Sequence, residues 1–379
     1  MLAVFIPNET LTGERRVAAT PETVGKMAAA DLEVLVETGA GSGAAIDDAA
    51  FEAAGAKIVP DAAAGVARAD MVLRVTPPKP DDLQGMRHGS VLVSFFAPHR
   101  HLDTMRALCD GKVTAFSMEL VPRITRAQKM DALSSQANVA GYKAVLAAAN
   151  ELGKYFPLLM TAAGTVRPAK VVVFGAGVAG LQAIATARRL GATVEATDIR
   201  PEVKEQVESL GARFIEVEGG GGGEGGYAKE ASEEYKRKQA EAVASKVADA
   251  DVVITTALIP GKKAPVLVTA DMVKSMRAGS VIVDLAAAEG GNVAGAKADR
   301  AVKIEGVTVI GETNWPGTVP VHASELYARN VLQAVEHLVE EGQLKIDLED
   351  DISVGAIAVH AGEVRHEPTA RMLQTEAEA

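Results

Sequence analysis

The residues best placed to do chemistry lie in the run VVVFGAGVAGLQAIATARRLGATVEATD, which ends at Asp198. An apolar stretch that reads as a buried strand leads into Gly175, Gly177 and Gly180. A helical stretch follows, and a second strand delivers Asp198 23 residues after the first glycine. Each glycine has its own task in such a turn: Gly175 allows the sharp change of direction, Gly177 lets backbone approach a pyrophosphate, and Gly180 lets helix and strand pack closely. The free amides and dipole of the helix that opens at Val178 would stabilise the anion without a lysine. Glycines at this spacing alone are weak evidence, but strand, helix and acid in the right order make a dinucleotide fingerprint. Asp198 suits the hydroxyls of an adenosine ribose and would repel a 2′-phosphate, which favours NAD over NADP. Ile199 and Arg200 follow at the same adenosine end. Arg200 could meet a 2′-phosphate, yet beside Asp198 it reads better as a solvated arginine near the adenine.

Two other stretches carry polar or mobile character. GGGGGEGGY, from Gly219 to Tyr227, cannot hold one conformation, because glycine loses the most backbone freedom on ordering. A lid closed by its single aromatic and a featureless linker both fit, and glycine content does not distinguish them. MELVPRITRAQKMDALSSQANVAGY packs Arg123, Arg126, Gln128, Asp131, Ser134, Ser135 and Gln136 into fourteen residues. Such groups orient a carboxamide and its riboses where domains meet. The same residues would also make a capped, solvated start to the helix that follows.

The elements that must position these groups alternate along the chain. Ala3 to Pro7, Leu32 to Glu37, Met71 to Val75, Ser90 to Phe96 and Lys112 to Met118 read as strands separated by Ala-rich helices. The first helix opens with Thr20, Pro21 and Glu22, a capping side chain followed by proline at the first helical position. A long helix through Gly141 and Tyr142 to about Gly153 bridges to a second series: Lys170 to Phe174, Thr193 to Thr197, Arg213 to Val217, Asp251 to Thr256, Ser280 to Ala286 and Val307 to Ile310. Strand–helix alternation of this kind means parallel sheets wrapped on both faces. The expected fold is therefore α/β, two doubly wound, Rossmann-like domains joined by long helices. Ser324 to Glu341 reads as a helix and Ala356 to His366 as a hairpin turning at Ala361 and Gly362, and this tail is expected to return to the first lobe. The expected division is 1–135 with 313–379 for that lobe and 136–312 for the nucleotide domain.

Composition excludes several classes. The 379 residues are 48% apolar, 23% charged and 4% aromatic, so two globular cores must be built from Ala, Val, Leu and Ile. A net charge of −11, with bases interspersed among acids, speaks against nucleic acid. No apolar run approaches the 18 to 20 residues of a spanning helix, and the start, MLAVFIPNETLTGERR, has neither a basic leader nor a cleavage site; a cytoplasmic chain without direct membrane insertion is expected. Cys109 is the single cysteine, which leaves no internal disulfide and no thiolate metal site, and it reads as a small core residue on a helix.

With these motifs in hand the sequence resembles the family that unites alanine dehydrogenases with the NAD(H)-binding component of proton-translocating transhydrogenases. IPNETLTGERRVAATPETV, the fingerprint with Asp198, TTALIPGKKAPVLVT and GSVIVDLAAAEGGN fit the shared pattern nearly end to end. PRITRAQKMDALSSQANVAGY and the glycine run ending in Gly226 and Tyr227 look like the transhydrogenase branch. That resemblance implies that Arg123, Gln128, Asp131 and Ser134 line the nicotinamide end of an NAD(H) site and that Tyr227 sits on a mobile lid. It further implies that Thr256 and Leu258 lie along the cofactor, with Val178 at the fingerprint helix. By the same likeness the chain works as a homodimer. It passes hydride to NADP+ on an NADP(H)-binding partner and lies at the inner face of the cell membrane through a membrane-spanning partner that moves the proton. The alanine dehydrogenase branch uses a lysine and a histidine from two strand ends. The corresponding segments here read Leu73, Arg74, Val75 and Phe95, Phe96, Ala97, so Arg74 replaces the lysine and no histidine stands in the second segment. His99 is expected on an exposed loop, and Arg16, which matches that branch's carboxylate-binding arginine, is expected in a structural role. An amino-acid dehydrogenase and a non-catalytic NAD-sensing module are the alternatives.

Overall fold

Val4, Phe5 and Ile6 are fully buried, as the central strand of a sheet covered on both faces requires. The computed structural model of the chain describes residues 1–216, 233–259 and 261–378; Gly226 and Tyr227, with the rest of the glycine run, lie outside the described residues. The chain divides into two units, residues 1–136 with 316–379, and residues 137–315.

The eight-stranded sheet of the first unit runs, in space, Glu363–Val364, Ile357–His360, Thr114–Ser117, Val91–Ser94, Met71–Leu73, Ala3–Ile6, Glu33–Glu37 and Lys57–Val59. The six strands from Thr114–Ser117 to Lys57–Val59 are parallel. The tail strand Ile357–His360 pairs antiparallel with Thr114–Ser117 and turns back at Ala361 and Gly362, both with positive φ. Helix Pro21–Ala29 starts after Thr20 with proline in its first turn, and the Thr23 hydroxyl accepts the Thr20 amide at 3.0 Å. The helix of the tail is Pro320–Leu338, one turn earlier than the sequence pattern placed it, because Pro320 is accepted at a helix start and not within one.

The second unit has a seven-stranded sheet ordered Arg213–Phe214, Thr193–Thr197, Lys170–Phe174, Val252–Thr255, Val281–Asp284, Val307–Ile310 and Ala301–Ile304. All pairs are parallel except the last. Strand order reverses between Lys170–Phe174 and Val252–Thr255, so the crevice at their carboxyl ends is where a doubly wound sheet takes its ligand. The doubly wound α/β reading holds. Three strand pieces escaped it, and the reason is shared. Lys57–Val59, Ala301–Ile304 and the hairpin Leu159–Thr161 with Gly164–Val166 lie at edges or outside the main sheets, where no continuous apolar run is needed.

Cys109 lies on helix Leu102–Asp110, packed at the rim of a core cluster with its thiol pushed up by burial and by Asp110. Among the described residues, no helix is long and apolar enough to cross a membrane.

Candidate functional site

The turn after Lys170–Phe174 performs the three glycine tasks separately. Gly175 has φ +93, and a Cβ there would lie 2.5 Å from the Thr256 hydroxyl oxygen. A Cβ on Gly180 would lie 1.8 Å from the Gly175 carbonyl oxygen, so helix Val178–Arg189 can approach the strand only without one. A Cβ on Gly177 would meet nothing within 4 Å. That open face, at the start of a twelve-residue helix, is where an anion can reach backbone amides. The helix is backed in turn by Ala132–Glu151, whose Gly141 has no room for a Cβ, with the Ala179 carbonyl 2.1 Å away.

Asp198 follows Thr193–Thr197 and is spoken for on both oxygens. Oδ2 accepts the Ala176 amide at 2.7 Å, while Oδ1 accepts the Arg200 amide at 2.9 Å and Nε at 3.0 Å. Burial pushes this carboxyl up, but the Arg200 guanidinium and the Ala176 amide outweigh it and hold it below the usual aspartate range. Arg200 is thus paired with Asp198 rather than simply solvated. Around this rim stand three aliphatic side chains with unusual exposure, Val178 at 41%, Ile199 at 96% and Leu258 at 53%. Exposed aliphatics beside a polar turn are surfaces that a flat ring can cover.

Thr256, on the neighbouring strand end, donates towards the Phe174 carbonyl at 3.0 Å and the Gly175 carbonyl at 3.2 Å. Its loop is fastened by two residues for which the sequence suggested no role. Asn292 accepts the Ala257 amide at 3.0 Å and donates to the Ala257 and Pro265 carbonyls at 2.9 and 2.8 Å. Asp284 in turn accepts the Asn292 amide at 2.8 Å, the Ala286 amide at 2.9 Å and the Thr255 hydroxyl at 3.1 Å. The available signal was an acid ending a fully apolar strand, VIVD, followed by AAAEGGN. A buried Asp at that place must find several donors.

In the first unit, Asp131 and Ser134 come together as a helix cap. Asp131 Oδ1 accepts the Ser134 amide at 2.9 Å and Oδ2 accepts the Ser134 hydroxyl at 2.6 Å, at the start of Ala132–Glu151. The capped-helix reading of this segment is therefore realised at these two residues. Gln128 is exposed on the 3-10 turn Thr125–Met130, which is held down by buried Ala127 and Met130, and Arg123 is exposed just before it. Arg126 is tied to Asp350 at 2.9 Å.

The strand ends of this unit are closed by carboxylates. Glu9 accepts the Val75 amide at 2.6 Å and the Thr76 hydroxyl, and Arg74 is buried between Asp82, at 3.0 Å, and Glu9, at 3.7 Å. Glu119 accepts the Phe96 amide at 2.7 Å, the Ala97 amide and the Ser117 hydroxyl. Burial raises the pKa of both glutamates. Arg16 is buried and donates to Glu14 at 2.6 Å and to Gln136 at 2.9 Å, a structural engagement. His99 is half-buried, not on an exposed loop, because its turn folds back over the cavity edge beside Pro78.

Comparison with known proteins gives two family matches that together take in most of the chain. The N-terminal domain of alanine dehydrogenase/PNT matches residues 5–140, and the C-terminal domain of alanine dehydrogenase/PNT matches residues 144–367. The chain belongs to the alanine dehydrogenase/PNT family. Within this family, an NAD(P) transhydrogenase alpha subunit of Rhodospirillum rubrum is 47% identical over 376 residues, covering 96% of this chain and 98% of that protein. The alanine dehydrogenase of Bacillus subtilis is 30% identical over 380 residues, covering 98% and 95%. Among solved structures, a transhydrogenase from Sinorhizobium meliloti superposes with a TM-score of 0.88 at 47% identity, covering 96% of this chain and 99% of that one. Both the fingerprint and the carboxylate-closed strand ends are thus features of an alanine dehydrogenase/PNT family member.

Proposed function

We propose that this chain is the NAD(H)-binding subunit of a proton-translocating transhydrogenase, passing hydride between NADH and NADP+ carried by a partner component. The observation that carries the reading is the higher identity, along nearly the whole chain, with the transhydrogenase subunit of Rhodospirillum rubrum than with alanine dehydrogenase. The second unit would hold the dinucleotide. Gly175, Gly177 and Gly180 shape the pyrophosphate turn, Asp198 accepts the ribose hydroxyls, and Val178, Ile199, Arg200, Thr256 and Leu258 line the path. Arg123, Gln128, Asp131 and Ser134 are proposed at the nicotinamide end, and Gly226 and Tyr227 join them on family likeness alone.

Hydride moves from one nicotinamide carbon to another with no solvent proton exchanged in that step, so the task is positioning and exclusion of water. The state of the first unit suits this. Arg74 is locked to Asp82 and Glu9, and the Phe96 and Ala97 amides are held by Glu119, leaving no lysine and histidine pair at these strand ends for imine chemistry. Translocation would belong to a membrane-spanning partner, with this chain, as a homodimer, held peripherally on the inner face of the cell membrane.

The test is NADH binding by fluorescence, followed by NADH oxidation with pyruvate and ammonium, and then with a membrane component loaded with NADP+. Binding, no turnover with pyruvate and turnover with the partner are expected. Steady oxidation with pyruvate and ammonium makes the chain an alanine dehydrogenase. Binding with no turnover in either assay makes it an NAD-responsive module.

A further inference from the structure

Asn330 lies on helix Pro320–Leu338, far along the chain from the segment that carries Arg123, Gln128, Asp131 and Ser134, and is only 9% exposed. Its side chain reaches that segment at two points. Nδ2 donates to the Lys129 carbonyl at 2.7 Å, and Oδ1 accepts the Ser135 hydroxyl at 2.7 Å. A carbonyl can only accept, so the Lys129 contact fixes which way the amide faces. Lys129 directly follows Gln128, and Ser135 directly follows Ser134. One buried amide therefore brackets the stretch from Gln128 to Ser134.

A second residue fastens the same end to the same helix. Gln136 is buried, donates to the Ala323 carbonyl at 3.1 Å and to the Ser135 hydroxyl at 3.3 Å, and accepts from Arg16 at 2.9 Å. The chain of contacts Glu14, Arg16, Gln136, Ser135, Asn330 and Lys129 is thus unbroken. Arg126 adds a tie to Asp350 on the outer side. Asp131 and Ser134 would satisfy one another as a cap with or without this network; what the network adds is a fixed path for the backbone between the 3-10 turn and the helix.

We propose that Asn330 is a positioning residue for hydride transfer: by gripping the Lys129 carbonyl and the Ser135 hydroxyl it sets where Gln128, Asp131 and Ser134 present themselves to the nicotinamide. The inference rests on the transhydrogenase reading of the chain. It separates Asn330 from the binding determinants, which lie on the second unit, so its loss should act on the rate of transfer and not on NADH affinity.

The experiment uses the full chain with its NADP(H)-carrying partner and compares wild type, Asn330→Ala and Ser135→Ala in single-turnover hydride transfer, with NADH titration and thermal unfolding on each. Loss of the bracket should slow transfer about tenfold in Asn330→Ala, the effect of two hydrogen bonds, with NADH affinity within about twofold of wild type. Ser135→Ala removes one of those contacts by a small change on a half-buried residue, and so carries the test if Asn330→Ala fails to fold. It should slow transfer about threefold, and the double variant should be no slower than Asn330→Ala, because the two act through one link. Wild-type rates in both single variants, or losses that track NADH affinity rather than transfer, overturn the inference while leaving the functional reading intact. Absence of partner-dependent transfer in the wild type overturns the functional reading, and the positioning role with it.

Discussion

Asp198 and Asp131 both accept a backbone amide close to the start of a helix, yet they are held by different means. Asp198 takes the Ala176 amide from a neighbouring strand end 22 residues away, inside a turn where Gly180 tolerates no Cβ. Asp131 takes the Ser134 amide three residues on, a cap that the local chain makes for itself. At the first region the fold and the ligand-binding surface share the same atoms. At the second they are separable, because another cap could replace Asp131 without disturbing the helix. The difference between the two regions is open to attack at four points.

The largest effect should come from Gly180→Ala. The new Cβ would lie 1.8 Å from a backbone carbonyl that cannot swing away, and the second unit should lose about 3 kcal/mol, the upper part of the overpacking range. Gly177→Ala has free space and should leave stability within about 0.5 kcal/mol while weakening NADH, since only the ligand needs that face bare. Thermal unfolding beside NADH titration separates the two. Equal stability loss at both positions would mean that the turn is not divided into packing and ligand tasks.

Asp198→Ala should weaken NADH by about 1–3 kcal/mol, the range for a lost charged acceptor, and should narrow the preference for NADH over NADPH because Arg200 is released from its partner. Unaltered affinity would show that the ribose is held elsewhere. Asp131→Asn comes next in size. Asparagine caps a helix as well as aspartate does, so unfolding and NADH affinity should stay near wild type while partner-dependent hydride transfer falls about tenfold. An unchanged transfer rate would remove Asp131 from the nicotinamide end and leave it as a cap.

The same contrast explains what the sequence disclosed. The central strands Lys170–Phe174, Thr193–Thr197 and Val307–Ile310 were readable to the residue, because buried parallel strands must be continuously apolar and end at turn-forming residues. The fingerprint was readable for a related reason: its chemistry is backbone geometry, and backbone geometry dictates glycine at fixed spacing. Asn292, Asp284 and Asn330 were not readable. Each acts through hydrogen bonds to chain segments distant in sequence, and no local pattern announces a side chain whose partners are set by the tertiary fold. The polar segment fell in between. Its composition showed that it was more than a surface loop, but cap and cofactor contact ask for the same residues, and only family likeness tipped the reading towards the cofactor.

The smallest expected effect is an absence of change with pH. Arg200 and the Ala176 amide hold the Asp198 carboxyl below its ordinary range, so its contribution is fully present above the unfolded value, about 3.9, and is lost only as pH falls through a still lower one. Asp284 is shifted the other way by burial, so acidification relieves a cost there as pH falls through its raised folded value. The ratio of NADH affinity between wild type and Asp198→Ala should therefore stay constant from about pH 8 to about pH 5, well above the aspartate value. Any common acid drift from Asp284 and other groups cancels in that ratio. Rapid fluorescence titrations across the range measure it, and a ratio that shrinks on acidification would mean that Asp198 gains its proton while still facing Arg200, which would break the assignment of this pair to the adenosine end.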